Sequence, residues 1–116
     1  MENKKEVYIS IGTRSTLLFA EGQRDYAVGH EWLVLVHSVT YDSASHSYRI
    51  RSHMSYCLTT GSIYVNPLTP GLWGFSDPYK FYEPTEDHKQ KILDILKKKN
   101  LKFISPLNKL VTVKND

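Results

Sequence analysis

The stretch from Trp32 to Cys57 constrains the fold of this chain more than any other. Trp32-Leu33-Val34-Leu35-Val36-His37-Ser38-Val39-Thr40-Tyr41 is rich in β-branched and aromatic residues, which suit a pleated, half-buried surface. Asp42-Ser43-Ala44-Ser45-His46 is turn-forming. Ser47 to Cys57 then alternates, with Tyr48, Ile50, Ser52, Met54 and Tyr56 on one face and Arg49, Arg51, His53, Ser55 and Cys57 on the other. A long β-hairpin is predicted, and it commits the rest of the chain to an antiparallel sheet. With Ser43-Ala44-Ser45 as its loop, the register sets His37 opposite Arg51 and Leu35 opposite His53.

The flanking segments add shorter strands. Val7 to Ile11 alternates up to Gly12-Thr13, Leu17 to Ala20 stops at Glu21-Gly22, and Gly61 to Val65 makes one more short run. Asn66 to Pro78 contains three prolines and two glycines and is expected to be irregular, although it carries Leu72, Trp73 and Phe75. One helix is predicted after Pro84. Thr85 is a natural N-cap, Glu86 and Asp87 suit the positive end, and Lys97-Lys98-Lys99 suits the negative end. Ile92, Leu93, Ile95 and Leu96 are its expected buried stripe, and Asn100 closes it. Leu101 to Ile104 and Lys109 to Val113, on either side of Ser105-Pro106-Leu107-Asn108, read as a terminal hairpin or an extended crossing. The fold expected is α+β, a mostly antiparallel sheet with one amphipathic helix near the C-terminus.

A chain of 116 residues suffices for one domain spanning 1–116 with a core of its own. The single cysteine, Cys57, makes no internal disulfide, and Met1 to Glu6 holds no apolar leader, so a cytoplasmic location is expected. The longest apolar run, Trp32 to Val36, falls far short of the ~20 residues a membrane helix needs. The formal charge of +3 permits an anionic partner without requiring one.

Histidines and Cys57 lack the spacing of a metal site, Cys57 sits mid-strand as a small buried hydrophobe does, and no nucleophile elbow or phosphate-binding glycine loop is present. No catalytic residue, metal or cofactor is therefore assigned, and the expectation is a non-enzymatic protein. What remains is a basic face. Arg49 and Arg51, with His37 and His53, would gather two guanidinium groups and two imidazoles on one side of a sheet. Two arginines this close require acidic partners or an anionic ligand, and phosphate suits their planar fork. The plainer reading makes them solvated strand residues. Likewise, Leu72, Trp73, Phe75, Tyr79, Phe81 and Tyr82 either fold back to cap the sheet or offer a stacking surface, with Trp73 or Phe75 against a base.

Tyr79-Lys80-Phe81-Tyr82-Glu83-Pro84-Thr85-Glu86-Asp87-His88-Lys89-Gln90-Lys91-Ile92-Leu93, continuing through Lys99-Asn100-Leu101-Lys102-Phe103, resembles a tail found in small accessory proteins of phages and mobile elements of gut bacteria. There a capped, Glu- and Lys-rich helix leads into a short strand, and here Pro84-Thr85 stands at the cap. The resemblance implies an anti-defence role in the bacterial host's cytoplasm, by an oligomeric α+β protein that sequesters a phosphorylated, cyclic-type nucleotide. The ligand set expected is Arg49, Arg51, His37, His53, Trp73 and Phe75. The alternatives are a module that inhibits a host defence protein through the aromatic loop Pro67 to Tyr82, and a single-stranded nucleic-acid binder.

Overall fold

In the computed structural model, which describes residues 4–113, the chain forms β1 (Glu6–Val7), β2 (Thr16–Gly22), β3 (Glu31–Asp42), β4 (Ser47–Cys57), β5 (Ile63–Val65), β6 (Gly71–Phe75), β7 (Tyr79–Tyr82), α1 (Glu86–Lys98), β8 (Leu101–Ile104) and β9 (Lys109–Thr112). This is the α+β class that the sequence predicts. The expectation of a leaderless N-terminus falls in part on Met1 to Asn3, outside the described residues. Within the described residues no helix is long and apolar enough to cross a membrane.

The main sheet runs β1-β7-β2-β3-β4-β5, and β6 pairs with the part of β4 that β5 leaves open. All its pairings are antiparallel. β6 and β7 border opposite sides of the β2-β3-β4 core, yet only Ser76, Asp77 and Pro78 join them. So short a link forces the sheet to roll until its borders approach each other. The rolled interior is filled by Leu18, Ala20, Val34, Val36, Val39, Ile50 and Phe81, with Trp32, Tyr48, Trp73 and Tyr79 packed against them. The outer face carries a second core of Phe19, Leu33, Leu35 and Met54, covered by Ile92 and Leu96 of α1 and by Leu110 of β9.

The helix starts where the sequence places it. Thr85 Oγ1 accepts from the His88 amide, and His88 Nδ1 accepts from the Thr85 amide, which closes a reciprocal cap. Asn100 ends the helix at φ +55°. The predicted stripe is too wide, however. Ile92 and Leu96 are buried, whereas Leu93 is 58% exposed, because it lies off the line on which α1 meets the sheet.

Two further expectations are corrected. Of the run Val7 to Ile11 only Val7 is strand, which with Glu6 forms β1 against Phe81 and Tyr82. The segment Asn66 to Pro78 is not wholly irregular: Gly71–Phe75 forms β6 against β4, the glycines marking a bend rather than excluding a strand. The terminal hairpin does form, from β8 and β9.

Candidate functional site

Leu35 pairs with Met54 and Val36 with Ser52, which leaves His53 as an extra residue on β4; Ser38 then pairs with Arg51, which leaves His37 as an extra residue on β3. The two bulges compensate, so pairing continues undisturbed to Asp42 and Ser47. The predicted pairs His37 with Arg51 and Leu35 with His53 do not form. The loop is Ser43–His46, one residue longer than expected, with His46 at φ +55°, and a one-residue change in loop length shifts the register. The bulge also breaks the alternation predicted for β4. Ile50 faces the rolled interior, whereas Met54 belongs to the outer core, so Arg49 and Arg51 share the outer face with Met54.

His53 is only 3% exposed. Its Nε2 donates to Asn108 Oδ1 at 2.8 Å, while Asn108 Nδ2 donates to the His37 carbonyl at 3.0 Å. Asn108 sits at φ +51° in the turn before β9, a conformation Asn adopts more readily than most residues. The amide donation to a carbonyl fixes which side of Asn108 is oxygen, and an oxygen there requires the proton on Nε2. His53 therefore fastens the β8-β9 hairpin to the sheet. The His37 ring stands edge-on to that of His53, centroids 5.0 Å apart, and its Nδ1 lies 2.8 Å from Ser38 Oγ. Burial, then His53, Arg14 and Arg51, hold the His37 pKa below its ordinary value.

Beyond this knot the outer face is uncovered by helix or hairpin. Arg49 pairs across with Thr40 and Phe75, and Arg51 with Ser38 and Leu72. The Arg49 guanidinium lies 5.6 Å from the centre of the Phe75 ring, and its Nε is buried without a hydrogen-bond partner. Arg51, Thr40 and Leu72 are exposed. Arg14, just before β2, acts on the same histidine as Arg51. Among the described residues, the ion pairs use Lys4, Lys5, Arg24 and Lys89 but none of Arg14, Arg49 and Arg51. Arg49 does act on Asp42 from beyond ion-pair distance; the Asp42 carboxyl is held low first by a hydrogen bond from Ser45.

Of the predicted ligand set, Arg49, Arg51 and Phe75 come together with His37 at their border. His53 is committed to Asn108. Trp73 does not join them. Ile50 opposes Gly74 and Arg51 opposes Leu72, which leaves Trp73 as an extra residue on β6, and its ring packs into the rolled interior, 4.8 Å from Tyr79 and 5.9 Å from Trp32. Trp73, Tyr79 and Phe81 thus fold back into the sheet, the plainer of the two readings, whereas Leu72 and Phe75 stay on the outer face. Arg14 and Asn108 escaped the sequence reading. A turn before β9 was legible and Asn suits it, but no local signal names His53 as its partner.

A larger groove, about 1080 Å³, runs past the start of α1 and is lined by Lys4, Lys5, Glu31, Glu83, Glu86 and Asp87 among others. Its charges are largely answered within the chain. Lys4 meets Glu21 at 2.6 Å and Lys5 meets Glu83 at 3.8 Å, and the Lys4–Glu21 hydrogen bond raises the pKa of the lysine and lowers that of the acid. No group of metal-ligating side chains occurs among the described residues, and Cys57 is free and buried. No protein family, no curated protein and no solved structure matches this chain.

Proposed function

We propose that this chain is a non-catalytic binding protein whose outer sheet face holds a phosphorylated, nucleotide-type ligand. The observation that carries this reading is the pair Arg49 and Arg51, neighbouring cations on the outer face with no carboxylate among the described residues in ion-pair contact, Arg51 exposed and the Arg49 Nε buried without a hydrogen-bond partner. Guanidinium forks bind phosphate oxygens in pairs. Phe75 and Leu72 supply an apolar wall beside them for a base. His37, at the border and depressed in pKa, would gain a proton more readily once an anion offset the neighbouring arginines. In a bacterial cytoplasm such a protein would withdraw a nucleotide signal from a defence pathway, the role that the helix resemblance implies.

Thermal unfolding against inorganic pyrophosphate, mononucleotides and cyclic dinucleotides tests the reading, because a ligand that binds only the folded chain raises the melting temperature by mass action. A rise that Arg51→Ala and Arg49→Ala each abolish, with both variants folded, is the expected result. No rise with any of these compounds, or a rise that both variants retain, would overturn it.

A further inference from the structure

We propose that two copies of this chain associate through the outer edge of β5. β5 ends the sheet beside β4. The amide of Cys57 donates to the Ser62 carbonyl, and that of Asn66 to the His53 carbonyl, both at 2.8 Å. In an antiparallel ladder inward-bonded positions alternate with outward ones, so Ser62, Tyr64 and Asn66 bond inward to β4. Ile63 and Val65 turn their amides and carbonyls outward, where none of the described residues pairs with them.

That edge is complementary to itself. A two-fold axis through Tyr64 sets Ile63 of one copy against Val65 of the other and joins the four outward groups of each strand in four hydrogen bonds. Tyr64 would lie against its own equivalent, Cα atoms about 4.5 Å apart. Tyr64 is 55% exposed, Ile63 42% and the neighbouring Leu68 96%, which gives the edge apolar area to bury.

Charge selects the occupant. The chain carries no Asp, Glu, Lys or Arg between Arg51 and Asp77, whereas strand edges left in solvent are commonly guarded by charge. An edge built for a different protein would use complementary charge to choose it. A neutral edge suits a like copy, which a formal charge of +3 would repel at charged surfaces. Pairing also stops where it starts. Pro67 has no amide to extend the ladder, and Gly61, at φ +81°, turns the chain away before β5, so the product is a closed dimer and not a fibre.

Sedimentation of the full chain across a concentration series tests this, with hydrogen exchange of the Ile63 and Val65 amides followed in parallel. The expected result is a dimer whose dissociation constant rises at least about tenfold, or 1.4 kcal/mol, in Tyr64→Glu, which sets two carboxylates across the axis. Val65→Pro should do the same, since it removes an outward donor that β4 does not use. Tyr26→Glu, at an exposed tyrosine elsewhere, should associate as the parent does, and protection of the two amides should grow with concentration. A parent chain that stays monomeric up to about millimolar concentration would overturn the proposal. So would a dimer that survives both edge variants, which would place the contact elsewhere.

Discussion

Asn108, from the far end of the chain, reaches His53 at 2.8 Å and the His37 carbonyl at 3.0 Å, and so ties both bulges of the central hairpin to the turn before β9. Removing this side chain leaves a buried imidazole donor without an acceptor and a bulge carbonyl without its donor. Asn108→Ala is expected to cost about 2–4 kcal/mol, combining a lost buried hydrogen-bond pair with strain at positive φ. Asn108→Gly relieves the backbone strain alone and should recover only part of that loss. Urea unfolding of the two variants checks the difference. An Asn108→Gly variant as stable as the parent would show that the side chain contributes nothing beyond its conformation.

Acid should loosen the molecule before its carboxylates titrate. His37 has a folded pKa below the ordinary 6.5, so between the two values the unfolded chain binds more protons than the folded one, and stability rises with pH there. The contribution of His37 is complete above 6.5 and is lost as pH falls through the lower, folded value. Unfolding free energies at pH 7.5 and pH 5.5 should therefore differ, and His37→Gln should shrink the difference. An unchanged difference in that variant would assign the pH dependence to other groups.

The helix stripe offers a contrast between neighbours. Ile92 is buried in the outer core, whereas Leu93 is 58% exposed. Ile92→Ala is expected to destabilise by about 2–5 kcal/mol, and Leu93→Ala by less than about 0.5 kcal/mol. Chemical denaturation of both decides it, and similar losses would mean that α1 is rotated from the orientation described.

Gly22, at the end of β2, has no room for a side chain. A Cβ there would overlap the carbonyl of Ala27 in the short 3-10 turn that follows. Gly22→Ala should cost about 1–3 kcal/mol, read as a lowered melting temperature. A variant as stable as the parent would show that the Asp25–Ala27 turn yields freely.

The elements legible in the sequence were those with a local cause. Thr85 and the charges around it announced the helix, and the β-branched run from Trp32 announced β3. What stayed hidden depends on partners far along the chain. Nothing between Ser47 and Cys57 interrupts the alternation, so a period-two reading passes through His53 without noticing that β3 has no residue to set against it. The partner of Arg51 is hidden for the same reason, while Arg49 and Arg51, two residues apart on the same side of both bulges, share a face as their spacing predicts. The place of Trp73 is hidden for a similar reason. Its place in the rolled interior follows from the bulge in β6 and from the nearness of β7, which local composition does not encode. Leu93 falls on the expected stripe because a helical period alone does not reveal how narrow the contact with a curved sheet will be.

The two bulges also mark where the chain tolerates being shortened. His37 and His53 are each one residue more than the ladder between β3 and β4 requires. Deleting both together keeps every remaining partner and leaves Val39, Ile50, Arg49 and Arg51 on the faces they now occupy, although the C-terminal hairpin loses its anchor. Deleting either one alone removes only the bulge it makes, because each is an extra residue on its own strand and the pairs on both sides of it keep their partners. For lineages that gain or lose codons here, losing His37 leaves the sheet together with the His53–Asn108 bond, whereas losing His53 leaves the sheet without that fastening.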